Sequence, residues 1–499
     1  MTFYRSFKVG SAITLVTAAP AFADLTAEQV VADQLRQMQL YGLTAEVSSQ
    51  SRSGDTLIVE EITASADTPD GSFEVTVGGA NFREMGDGTV EVTYPDAIPI
   101  SVSGAAEDGE EFEMVMSLTQ TNTTMIVSGI PEEITYDFTS DTFVLEDLRF
   151  VAPQEAADLD MDFSFQIGGI AGVMSWIGGG TIRDYTADFS FETMTGTFSG
   201  TPEEDQGEFN LEFAAENVAA DYSGRSGPQD LMSSFAQTIE AGNTTTGTAR
   251  HGPLTYTLSG NSPDGSFDVA AAVASGEFDF NMDEGGLDYG TVSQDMTISV
   301  GGSVIPLPPL TFKMAESAFR FAMPVVPSEE EQDFGFRMNL AGLEIDDMLW
   351  GLIDPTGQIE RDPATLVIDL DGQATMKEDI FDPAFAEQMT GAPGEFNALN
   401  VNQILLSLAG AELTGDGAFT FSNAGPIPMP AGTLNMMLSG GNGLLDKLVN
   451  MGLVPEEQAM GARMMLGMFA RPGTGPDTLV STIEMKEDGS VLANGQRIR

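Results

Sequence analysis

The stretch DLDMDFSFQI, Asp158–Ile167, alternates strictly. Leu159, Met161, Phe163, Phe165 and Ile167 are large and apolar, with Asp160, Asp162, Ser164 and Gln166 between them. A period of two puts one set on each side of a strand, so the segment has an oily face and an acidic face. Burying a Phe or Met gains roughly 1.5–3 kcal/mol, which makes a shared, mostly filled interior the default use of the oily face. Asp160 and Asp162 then point into water and discourage edge-to-edge pairing.

The pattern extends in both directions. Phe73, Val75 and Val77 alternate with Glu74 and Thr76, and Val90, Val92 and Tyr94 with Glu91 and Thr93. Residues 112–118, 134–138, 185–191, 209–213 and 278–282 repeat it, separated by turn signals such as Gly86-Asp87-Gly88, Asp108-Gly109 and Pro263-Asp264-Gly265. The expected fold is mainly β: a long antiparallel meander, as an extended or curled sheet or a sandwich, with a short N-terminal helix and a small helical section near the C-terminus.

Helical periodicity marks the exceptions. Residues 25–43 read as a helix capped by Thr26, with Val30, Val31, Leu35, Met38 and Leu40 as its stripe and Gly42 as its stop. Leu231, Phe235 and Ile239 predict a second helix within 229–242. The Pro-rich VIPLPPL (Val304–Leu310) and PVVPSEEE (Pro324–Glu331) read as hinges between sheet segments. Near the end, Leu444, Leu445, Leu448 and Val449 suit one short helix, and Pro455 starts another. In that last helix Met460, Met464, Met465, Met468 and Phe469 form a stripe that suits either core packing or a soft surface for an apolar ligand or partner. A hairpin turning at Asp488-Gly489 closes the chain. The resulting division is a leader (1–23), an N-terminal helix plus β region (24–325), and a C-terminal β region with two short helices (326–499).

One echo crosses the chain. TPDGSFEV (Thr68–Val75) recurs as SPDGSFDV (Ser262–Val269), with Asp70 and Asp264 in matching places. Chance reuse of good turn chemistry and a duplicated half both account for it.

The first residues indicate where the protein works. Arg5 and Lys8 precede an apolar run, Val9–Pro20, and Ala21-Phe22-Ala23 offers small residues where signal peptidase cleaves, so cleavage is expected after Ala23. The run is shorter than the about 20 residues a spanning helix needs, and no later segment reaches that length. The expectation is a periplasmic protein without a transmembrane segment after cleavage. The chain has no Cys, which rules out disulfides and a lipid on a leading Cys. Its 76 Asp+Glu against 20 Lys+Arg give a formal charge of −56, so its bulk field repels nucleic acid and anionic membranes.

The inventory for catalysis is thin. His251 is the only His, there is no Gly-x-Ser-x-Gly elbow, and no phosphate-binding or dinucleotide loop occurs. Asp279, Asn281 and Asp283 imitate half of a calcium loop, but Glu284 stands where the sharp turn needs Gly and Gly290 where the bidentate Glu belongs. No catalytic, cofactor or metal residues are assigned, although the acidic surface leaves divalent cation binding open.

Three stretches carry a resemblance: LWGLIDPTGQIERDPATL (Leu349–Leu366), GNGLLDKL (Gly441–Leu448) and the closing GPDTLVSTIEMKEDGSVLANGQRI. Together they resemble an uncharacterised family of exported bacterial proteins, the domain-of-unknown-function family twenty-one twenty-five, over most of the mature chain and most strongly after Leu340. The resemblance brings no activity, ligand or catalytic residue. The residues themselves suggest a non-catalytic envelope protein that binds a lipid-like ligand or a protein partner through a β-rich body. The alternatives are a purely structural or interaction protein with a closed core, or an acid-dependent hydrolase.

Overall fold

A computed structural model describes residues 24–68, 71–106, 111–152, 160–201, 207–229, 233–382, 385, 392–425 and 427–499. The leader, Asp70 and Leu231 lie outside the described residues, as does the side chain of Asp160. The chain is mainly β, as its alternation predicts. Among the described residues, 26 strands join in one antiparallel sheet, and most strands pair with their neighbours in sequence. The opening stretch becomes the strand Asp160–Ile177, held between Glu133–Ala152 and Arg183–Thr201. Neither Pro-rich segment interrupts the sheet: Gly286–Gly301, Leu310–Met323 and Gln332–Ile345 pair in succession across both. The expected hinges are therefore ordinary connections.

A line of backbone irregularities crosses most of this sheet. In Asp160–Ile177 the apolar set is Phe163, Phe165 and Ile167 up to Gly168-Gly169, and Ile170, Met174 and Trp176 beyond it. The parity changes. Gly169 has φ +62°, and a Cβ there would collide with the side chain of Glu192. Asn217 (φ +53°), Asp295 (φ +51°) and Gly342 (φ +71°) mark the same line in later strands. Elsewhere the line breaks a strand in two: Thr244–His251 and Leu254–Ser262 both pair with Glu208–Ser226, one on each side of Asn217. One extra residue shifts a strand's facing by one position and bends it. Because the sequence shifts its apolar parity at the same place, the oily side chains stay on one face along the whole strand.

On one side of that line, near the N-terminus, helix α1 (Ala27–Leu40) covers part of this face. Thr26 and Gln29 form its capping box, with Gln29 N–H donating to Thr26 Oγ1 and Thr26 N–H to Gln29 Oε1. Val30 and Val31 meet Leu57, Phe82, Val90, Val92, Val127, Ile134 and Trp176 in the main buried cluster. A buried ion pair fixes the helix: Arg183 Nη1 donates to Asp33 Oδ1 (2.5 Å) while Tyr136 Oη and Gln37 Nε2 both donate to Asp33 Oδ2 (2.8 Å each). The Arg183 guanidinium also lies 5.3 Å from the centre of the Trp176 ring.

Helix α2 (Phe235–Glu240) is a smaller counterpart. Ser234 and Gln237 form its capping box, and Ile239 packs on Met282 and Val325. Both helices end in a glycine of positive φ, Gly42 and Gly242, and lead into a strand two residues later. The two PDG echoes then sit at equivalent two-residue hairpins, Thr68 pairing with Gly71 and Ser262 with Gly265. Helix α3 (Asp347–Ile353), which the sequence reading did not find, α4 (Gly441–Asn450) and α5 (Glu456–Phe469) cluster at the opposite end of the sheet's last strands.

The ion pair allows a direct check. Asp33→Ala leaves Arg183 buried and uncompensated, so unfolding in urea should show a loss of about 3–5 kcal/mol, whereas Asp33→Leu with Arg183→Met should recover most of it. Burial, and then the charge of Asp33, hold the Tyr136 phenol above its ordinary range, and burial also raises Tyr41, Tyr94, Tyr185 and Tyr222 around it. A raised folded-state value means full stability below the unfolded tyrosine pKa of about 10 and loss as the pH climbs above it. Denaturation midpoints measured from pH 8 to 12 should therefore fall beyond pH 10, and less steeply in Tyr136→Phe.

Candidate functional site: an open apolar face

The strand register traces the oily face across the sheet. On the half away from α1 one row runs Ile98, Leu118, Leu145, Phe165, Gly196 and Phe213. It continues through Tyr256, Ala271, Ile298, Phe312 and Ile345. That is eleven strands without a charged side chain, roughly 48 Å at about 4.8 Å per strand. The next row adds Phe163, Phe198, Leu211, Leu258, Val269, Val300 and Leu310. Gly196 lets Phe213 lie across it, with its ring 6.1 Å from that of Phe165.

This face is not a filled core. In the first row only Ile98 and Gly196 are buried, and Tyr256 is exposed. Beyond the line of irregularities Phe278 and Tyr289 are exposed, as is Phe396 at 53 %. The accessible surface of the chain is 28870 Å², where a compact protein of 52.9 kDa would show roughly 18,000 Å². The 53 residues outside the described set, even fully extended, add at most about 8,500 Å². The expectation of a mostly filled interior is overturned. A single sheet closes its apolar face only against a second layer, and here the buried clusters lie beneath α1 and α2.

The C-terminal stripe, which fitted either core packing or a soft surface, also faces outward. Met460, Met464, Met465 and Met468 are 55–69 % exposed and Phe469 is 39 %, so they are surface and not core packing. The small residue Ala459 faces inward instead. Beside this end lies a cavity of about 290 Å³, lined by Leu343, Ile345, Trp350, Leu408 and Ala409, with Asp347, Arg361 and Asp362 also at its wall. The Arg361 guanidinium sits 5.7 Å from the centre of the Trp350 ring. The sequence reading missed this cavity because a strand end, a seven-residue helix and a loop build most of it, and none of these shows a periodic pattern.

The three quoted motifs build this end together. Asp354 accepts from Ile359 N–H (2.7 Å) and Thr356 Oγ1 (3.2 Å), shaping the loop that carries Glu360 and Arg361. Lys447 of α4 donates to Glu360. Asp477 accepts from Gly443 N–H and Asn442 Nδ2, each at 2.8 Å, at the start of α4. Burial works against its charge, but these donors hold the Asp477 carboxyl below its ordinary range.

The remaining candidates have structural duties. His251 ends a strand, donating from Nδ1 to the Gly252 carbonyl oxygen (2.7 Å) on the line of irregularities. The calcium-like stretch is a strand, Ser275–Asp283, running into a Gly turn where Asp283 accepts from Gly285 N–H (2.7 Å). Among the described residues no group of three metal-ligating side chains converges. Two polar hollows, of about 630 and 510 Å³, lie on the outer face, the larger beside Asp162, Glu208 and Asp268.

Residues 236–495 match the family model DUF2125, an uncharacterised protein conserved in bacteria. The match begins within α2 and covers just over half of the chain, less than the most of the mature chain that was expected. No curated protein and no solved structure matches.

Open face and core should respond differently to truncation. Phe396→Ala on the exposed face should cost less than about 1 kcal/mol in urea unfolding. Phe82→Ala in the cluster under α1 should cost about 3–5 kcal/mol.

Proposed function

The chain belongs to this uncharacterised bacterial family, and we propose that it is an exported, non-catalytic lipid-handling protein whose open sheet face holds acyl chains. The observation that carries the reading is the eleven-strand row: apolar, without charge and for the most part only partly buried. Acyl chains match such a surface because they offer no hydrogen bonds and adapt to its shape. A hydrocarbon core about 30 Å thick holds two chains end to end, so one chain is about 15 Å long, and the row has length for about three. Export rests on the cationic start, the short apolar run and Ala21-Phe22-Ala23. Among the described residues no helix is long and apolar enough to cross a membrane.

A protein partner added at a sheet edge is less well supported. The first edge strand, Thr44–Ser53, is bulged around Ser49, and its Arg52 is tied to Glu28 and Glu84. The last strands carry the short Arg471–Pro472 strand and the closing hairpin along them. The row itself offers no acid, base or nucleophile for hydrolysis beyond the Tyr256 phenol.

The test is to export the full chain in a bacterial host, extract it and quantify lipid by mass spectrometry, then titrate delipidated protein with a fluorescent fatty acid. Bound lipid and saturable binding are expected, with at least a tenfold loss of affinity in Phe165→Asp. Thr197→Asp puts the same charge on the outer face and should bind as the parent does. Absence of lipid above background together with no saturable binding contradicts the proposal.

A further inference from the structure

We infer that the C-terminal helical end docks on a lipid bilayer, with the outward face of α5 seated in the interfacial zone. The first observation is an inverted helix. On α5, Met460, Met464 and Met468 follow one another at four-residue spacing with Met465 and Phe469 beside them, and all five face solvent while Ala459 is buried. A surface helix of a soluble protein turns its apolar stripe inward, and a helix lying on a membrane turns it outward.

The exposed surface continues beyond one helix. Leu453, in the turn before α5, is 50 % exposed, and Leu352 of α3 is 62 % exposed. Ion pairs tie these elements into one end: Arg463 of α5 to Asp446 of α4, and Lys447 of α4 to Glu360 in the loop after α3. Exposed apolar side chains gathered at one end of a chain mark a contact site.

Charge then selects the partner. The whole chain carries a formal −56, and this end, residues 346–362 with 441–499, holds seven basic and twelve acidic residues, an acid excess per residue smaller than that of the whole chain. The acidic body repels an anionic surface, and this end adds less to that repulsion than an average stretch of the chain, which favours a bilayer of neutral headgroups. Methionine, flexible and polarisable, suits the irregular boundary between headgroups and acyl chains. Docking here is independent of what the sheet face binds, although it would set the adjoining Trp350 cavity and the oily face next to the membrane.

The test is cosedimentation of the full chain with phosphatidylcholine vesicles, with the mass in solution followed by light scattering. The parent and Met464→Leu/Met465→Leu should sediment with vesicles, and Met464→Glu/Met465→Glu should lose at least tenfold in bound fraction while its fatty-acid titration stays unchanged. Met464→Trp should shift its emission to the blue when vesicles are added. A parent that stays in the supernatant, or a Glu variant that sediments as well as the parent, overturns the inference. So does a parent dimer that ignores vesicles and that the Glu variant dissociates, because the patch would then join two copies of this chain.

Discussion

A β-sheet with one apolar face gains its stability from whatever that face touches, and this chain provides a second layer over only part of it. Under α1 the layer is complete: Val30 and Val31 close over Phe82, Val92 and Trp176, and the Asp33–Arg183 pair fixes how the helix sits. Two buried guanidinium nitrogens, Nε and Nη2, and the Trp176 indole nitrogen have no hydrogen-bond partner among the described residues, which keeps the net gain of that pair small. Elsewhere the oily rows stay half-exposed. One continuous ladder of strands, not a single dry core, joins most of the molecule.

The line of irregular residues reconciles long strands with a single oily face. Strands of up to 20 residues twist strongly, and the extra residue at Gly169, Asn217, Asp295 and Gly342 bends each one at a common place. The sequence pays for this with a matching change of parity, so neither side of the bend turns its Phe and Met residues to the acidic face. That outer face carries the scattered ion pairs, such as Arg250–Glu277 and Arg320–Asp288, which are exposed and add little stability.

Much of this was legible in the chain. A period of two is a strong signal, so DLDMDFSFQI and its relatives located strands and faces correctly, and Thr26 with its stripe located α1. Periodicity names the oily face but not what covers it, so the open row could not be told from a core. The parity change at Gly168-Gly169 was present in the sequence and needed only the question of why alternation slipped by one. Asp33 and Arg183 stand 150 residues apart, and no local pattern pairs them. Helix α3 has seven residues, too few to show a helical period. The methionines of α5 read alike as core or surface, because spacing reports a stripe and not its direction.

Methionines on the oily face offer the most direct measurement. Met116, Met194, Met296 and Met314 lie along the open half, whereas Met282 is buried beside α2. With methyl-labelled methionine and a fatty acid carrying a spin label on its chain, NMR signals of the first four should broaden as the ligand is added, and that of Met282 should persist. Equal broadening at all sites, or broadening confined to the methionines of α5, would contradict an open face that holds acyl chains.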